Sequence, residues 1–164
     1  MEIVQTERER LRAASDAATA ASEQRFCGRN WRETGTEYFR AQRQTGLTEM
    51  GALLQTLKLA PPLSKDGLST VLMLASDIFL GAALGDARLI PIQDGGLRLE
   101  VAVCPMYHRL LEERSPHQPD GMTACSCTSR RQGWYDALQV VGWDEVMTNK
   151  KWGDPSCAAI IHIE

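Results

Sequence analysis

The chain predicts an α+β fold: N-terminal helices followed by a small antiparallel sheet with helices packed on one face. Three observations carry that prediction. Apolar residues recur with a period near 3.6 in the first half, most clearly at Leu68, Val71, Leu72, Ala75, Ile78, Phe79 and Ala82. From Arg88 onward the period falls to two, and Asp94-Gly95 stands between the alternating runs as a hairpin turn signal. The third is bulk. With 164 residues, 43% hydrophobic and 24% charged, the composition is that of one compact globular domain spanning 1–164. Disordered, collagen-like and coiled-coil chains are excluded.

Residues 2–26 are helix formers almost throughout, with alternating charge at Glu7-Arg8-Glu9-Arg10 and an alanine-rich run after it. The apolar stripe there is thin (Ile3, Val4, Leu11, Ala14, Ala18, Ala21), which predicts an outer helix and makes 1–45 a peripheral helical region. Gly28 and Asn30 punctuate it. A second helix is expected over Trp31–Gln44 with Trp31, Tyr38 and Phe39 on its apolar side. Thr45 or Thr48 then caps a third helix through Leu59, carrying Met50, Leu53, Leu54 and Leu57. Pro61-Pro62 stops it. Ser64 precedes the core helix, which Gly85 ends.

Two strands follow, Arg88–Ile92 and Leu97–Val103, the second with Leu97, Leu99, Val101 and Val103 on one face and Arg98 and Glu100 on the other. Cys104-Pro105 opens a helix to about Arg114, and 115–128 reads as loop. A helix from about Ser129 to Val140, a strand near Glu145–Thr148 and a terminal strand Cys157–Ile163 complete the series.

The formal net charge of −3 supplies no basic excess for phosphates, so a nucleic-acid partner is not expected. The charged N-terminus lacks the apolar core of a secretory signal. The longest apolar stretch, Val71 to Leu84, is broken by Ser76-Asp77 and falls short of the ~20 residues of a membrane span. A soluble cytoplasmic protein is expected. There, five cysteines, at 27, 104, 125, 127 and 157, point to catalysis, metal binding or burial rather than disulfides, and an odd count fits no complete disulfide framework.

Four of those cysteines mark the places where chemistry could sit. Cys104 stands where a strand ends and a helix begins, with Pro105 in the first turn, so backbone N–H groups and the helix dipole favour its thiolate. His108, four residues on, shares its face and suits a general base or acid. The plain alternative is a small buried cysteine and a surface histidine. Cys125-Ser126-Cys127 lies among small polar residues and holds two sulfurs close together. With Cys104 and Cys157 it makes four sulfurs, enough for zinc or an iron–sulfur cluster, although the spacings match no standard finger or ferredoxin. Gly153-Asp154-Pro155-Ser156 reads as a tight turn delivering Cys157 to the last strand. His162 alternates with apolar residues of that strand and reads as a core or edge residue, and His117, between prolines, as solvated. Trp134, Trp143, Trp152 and Tyr135 are most simply core, or else the aromatic wall of a small-molecule pocket.

The run Leu99-x-Val101-x-x-Cys104-Pro105-x-Tyr107, then a loop cysteine, then Gly153-Asp154-x-x-Cys157 entering an apolar strand, resembles the L-2-amino-thiazoline-4-carboxylate hydrolase family. That bacterial group is related to the four-vinyl-reductase-type small-molecule-binding domain. The resemblance spans about 65–164. It implies an α+β domain of about this length, hydrolytic opening of a small nitrogen-containing ring, and cysteines facing the ligand pocket. Cys104, one of Cys125 or Cys127, Asp154 and Cys157 match by position. Two positions depart from the pattern: the cysteine doublet itself, and Ala159, where the family carries an aromatic.

Three readings follow. In the first the chain is a cysteine-dependent hydrolase needing no cofactor. Cys104 attacks a cyclic amidine, thiazoline or strained lactam, His108 shuttles the proton, and Asp154 orients water or the substrate amine. Cys157, Cys125 and Cys127 line the pocket with Tyr107, Trp134 and Trp152. In the second it is a small-molecule-binding module with zinc or an iron–sulfur cluster on Cys104, Cys125, Cys127 and Cys157. The third is an interaction protein that forms a homodimer through its N-terminal helices.

Overall fold

The structure, a computed structural model, describes residues 3–26, 31–81, 87–92, 97–101, 127–148 and 157–164. Among them the order is α1 (Gln5–Phe26), α2 (Trp31–Leu57), α3 (Lys65–Ala75) with a π-helical turn (Ser76–Gly81), β1 (Ala87–Pro91), β2 (Leu97–Val101), α4 (Cys127–Leu138), β3 (Gly142–Thr148) and β4 (Cys157–Ile163). The four strands form one antiparallel sheet ordered β1-β2-β4-β3, so the last strand enters between the hairpin and β3. This is the expected α+β architecture. No helix of the described residues is long and apolar enough to cross a membrane.

One hydrophobic cluster joins the layers. Met50, Leu53 and Leu54 of α2, Val71, Leu72, Ile78 and Phe79 around α3, and Trp134, Tyr135 and Leu138 of α4 close over Leu97, Leu99 and Ile161 of the sheet. Alternation on β2 is as expected: Leu97 and Leu99 are buried while Arg98 is exposed. The Ser64 side chain caps α3 by accepting from Gly67 N at 3.2 Å. The Pro61-Pro62 peptide bond is cis.

Two helical expectations are corrected. The stretches predicted as separate helices around Thr45 are one continuous α2. Thr45 and Thr48 donate to the carbonyls of Ala41 and Gln44 four residues back, at 3.1 and 3.0 Å, instead of capping a new helix. Gly46 lies inside the same helix. A Cβ there would overlap the carbonyl of Arg130, and one at Gly133 would overlap that of Arg43, so the paired glycines let α2 and α4 cross with their backbones in contact. Helix α2 ends instead at Lys58, in the left-handed region at φ 55°, where Leu59 N reaches Leu54 O at 2.9 Å.

The second correction concerns α1. Its alanines at 14, 18 and 21 face solvent, and Val4 is 65% exposed. Ile3 and Leu11 are buried as expected, but the stripe continues through Ser15, Thr19 and Ser22. A helix can bury hydroxyls only where partners satisfy them, and those partners lie on α2 and α4.

Candidate functional site

Helix α4 organises the site. Sequence predicts loop through residue 128 and helix from Ser129. The helix begins at Cys127, which packs half-buried against the core and so draws the first turn inward. Cys127 therefore sits in the first turn, where backbone N–H groups have no intrahelical partner. With a repeat of 3.6 residues, Cys127, Arg131 and Tyr135 share one face and Arg130, Trp134 and Leu138 the next. Adjacent buried arginines thus diverge by about 100° around α4, one toward the sheet and one toward the other helices.

On the sheet side Arg131 meets Asp144 of β3. Its Nε donates to Asp144 Oδ2 at 2.8 Å, Nη2 lies 2.6 Å from the same oxygen, and Tyr135 donates its hydroxyl to Oδ1 at 2.7 Å. The Arg131 side chain is 3% exposed and that of Asp144 0%. Burial is the largest single influence and works against the guanidinium charge, but the charge and hydrogen bond of Asp144, with Cys127 and Tyr135, together outweigh it, and Arg131 holds its proton more firmly than a free arginine. Burial, then the negative charge of Asp144, pushes the Tyr135 phenol well above its ordinary range, so it remains a donor. Cys127 lies within electrostatic reach of Arg131. One guanidinium nitrogen, Nη1, is buried with no hydrogen-bond partner among the described residues.

On the helical side Arg130 Nη1 lies 3.7 Å from Glu49 Oε1 of α2, and Nη2 donates to Thr19 of α1. Glu49 also accepts from Ser15 and, at 3.0 Å, from Trp134 Nε1. Gln42 Nε2 donates to Ser22 Oγ at 3.1 Å. These contacts satisfy the polar stripe of α1. They also show Trp134 as core, its indole N–H held by a carboxylate.

Of the residues proposed from sequence, Cys104, Tyr107, His108, Cys125, Trp152 and Asp154 lie outside the described residues, as do Cys27 and His117. Cys157 opens β4 opposite Val101 of β2, in the predicted strand. The four-sulfur reading needs side chains of which Cys127 alone is described, and among the described residues no three metal-ligating side chains converge. Trp143 is not core: it is 42% exposed and stacks on His162 with centroids 5.0 Å apart. His162, on the interior strand β4, is half-buried and neither core nor edge, its Nε2 2.9 Å from Glu145 Oε2.

Sequence reasoning passed over Arg130, Arg131, Tyr135 as a polar group, and Asp144. A signal for the first three exists in Arg130-Arg131-Gln132-Gly133-Trp134-Tyr135, where charges sit one turn from core aromatics inside a helix. Asp144, flanked by Trp143 and Glu145 on a strand, offers none.

Neither a family model nor a curated protein matches the chain. Among solved structures, the chain is similar to trafficking protein particle complex subunit 3 from Naegleria fowleri, covalently bound to palmitic acid. The TM-score is 0.56 at 11% identity, covering 94% of this chain and 95% of that one. At that identity the likeness is one of fold.

Proposed function

We propose that the chain is a cysteine-dependent hydrolase that opens a small nitrogen-containing ring, such as a cyclic amidine, thiazoline or strained lactam. The observation that carries this reading is the buried guanidinium of Arg131 one turn from the half-buried thiol of Cys127, with Nη1 lacking a hydrogen-bond partner among the described residues. A fixed cation beside a thiol in the first turn of a helix favours thiolate, the reactive form. The resemblance at Cys104, Asp154 and Cys157 supports the same chemistry.

In this reading a thiolate adds to the electrophilic ring carbon and forms a C–S bond. The ring C–N bond breaks as nitrogen takes a proton, and water then releases the thiol. Two cysteines compete for the attack: Cys104 on the sequence argument, with His108 carrying the proton and Asp154 orienting water, and Cys127 on its described surroundings. Cytoplasm is the proposed compartment, since a thiol nucleophile must stay reduced.

A second reading, a module that holds a ligand without turning it over, has one finding in its favour: the covalent palmitic acid of the fold neighbour.

A ring-opening assay on a thiazoline carboxylate and a cyclic amidine, run on the wild type and on C104S, C127S and C157S, tests the proposal. The expected result is turnover that one of the first two substitutions reduces by at least about a hundredfold. Turnover indifferent to all three removes the thiol mechanism. A stable adduct without turnover selects the binding module, and stoichiometric zinc or iron in the fresh protein selects its metal form.

A further inference from the structure

We infer that Asp144 and Tyr135 are positioning residues for Cys127, setting through Arg131 how much positive charge the thiol faces. The inference rests on Cys127 being a reactive thiol in the proposed function. Three side chains at four-residue spacing, Cys127, Arg131 and Tyr135, line one face of α4, and β3 closes that face with Asp144. Both oxygens of Asp144 are engaged, Oδ2 by Arg131 and Oδ1 by Tyr135. The carboxylate thus divides its negative charge between a cation and a neutral donor. Arg131 lies one helical turn from Cys127, and its Nη1, without a hydrogen-bond partner among the described residues, is a donor suited to a thiolate or a substrate anion.

Other charged groups packed around α4 are engaged elsewhere. On α2, Glu49 is taken by Arg130, Ser15 and Trp134, and Arg43 forms a two-pronged pair with Asp136 at 2.6 and 2.7 Å. On the sheet, Glu145 turns to His162. Arg131 is the cation one helical turn from the thiol, tempered by Asp144, itself shared with Tyr135.

Two conservative substitutions act in opposite directions. D144N keeps the shape and removes the negative charge, so Arg131 acts on Cys127 undiminished and the thiolate forms at lower pH. Y135F removes the competing donor, so the Asp144 charge falls wholly on Arg131 and the thiolate forms at higher pH. Simple loosening of the fold would move both variants the same way.

The test is the pH profile of Cys127 alkylation by iodoacetamide, read residue by residue by mass spectrometry on the full chain from about pH 5 to 9. Circular dichroism checks that each variant is folded. For D144N the midpoint falls by about one pH unit. Because a less basic thiolate is a weaker nucleophile, alkylation below the midpoint rises about threefold while the high-pH plateau drops about threefold. For Y135F the midpoint rises by a smaller amount. Unmoved midpoints, or midpoints moving together, overturn the inference and leave the hydrolase reading in place. A wild-type Cys127 inert throughout overturns the inference and moves the nucleophile to Cys104. Should D144N not fold, the direction of the Y135F shift decides.

Discussion

The two sides of α4 solve the same problem differently. Each buries an arginine with a carboxylate from another element, yet their hydrogen-bond inventories are not alike. Toward the helices, Glu49 has three donors besides its neighbours in the chain: Arg130, Ser15 and Trp134. Toward the sheet, Asp144 has Arg131 and Tyr135, with a side chain 0% exposed. Charge on the helical side is spread over a network and survives the loss of a member. On the sheet side it is concentrated in one pair beside a thiol. A network suits a structural seam that holds α1, whereas a concentrated pair suits a site whose field acts on a neighbour.

The largest way to break this arrangement is to move α4 itself. Gly133→Ala would drive a Cβ into the Arg43 carbonyl and the backbone of Leu47, neither of which can swing aside. The expected loss is more than about 5 kcal/mol, seen as a chain that fails to fold or melts at far lower temperature. A well-folded Gly133→Ala with near-native melting would mean the helices do not cross this closely.

The next test separates the sides. Arg131→Met leaves a fully buried carboxylate with one phenol donor and should cost about 3–5 kcal/mol. Arg130→Met leaves Glu49 with two donors and should cost about 1–3 kcal/mol. Urea denaturation of both variants measures the difference, and equal losses would erase the distinction between network and pair.

A smaller effect comes from pH. The folded chain holds the Tyr135 proton well above the ordinary phenol value of 10.0, through burial first and Asp144 second. Unfolded, the phenol ionises near that value. Above about pH 10 the unfolded state therefore binds fewer protons than the folded one, and stability falls as pH rises, by up to about 1.4 kcal/mol per pH unit from this group. Below that pH the contribution is constant. Y135F lacks it, so wild type should lose more stability than Y135F between about pH 9 and 11 in parallel urea titrations.

These contrasts also explain what could be read from the sequence. Helix α3 was legible because Ser64 and a strong 3.6-residue period agree, and the β1–β2 hairpin because Asp94-Gly95 and alternation agree. Those are local signals. Thr45 and Thr48 were read as caps of a new helix because the Gly46–Gly133 crossing, which runs along one continuous α2, joins residues distant in sequence. The α1 stripe was misread because hydroxyls look solvent-facing until Glu49, Gln42 and Arg130 arrive to satisfy them. Cys127 was read as loop because Pro116, Pro119 and Gly121 mark the stretch before it, while the thiol packs against the core at the start of α4. The site was half legible: the cysteine was singled out, its arginine and aspartate were not.

The most direct test of thiol chemistry on this fold is a short iodoacetamide pulse at about pH 6.5 on the native chain, with labelling counted separately at Cys27, Cys104, Cys125, Cys127 and Cys157. Cys127 or Cys104 is expected to label at least about tenfold faster than Cys27. Equally slow labelling at all five positions would contradict that expectation.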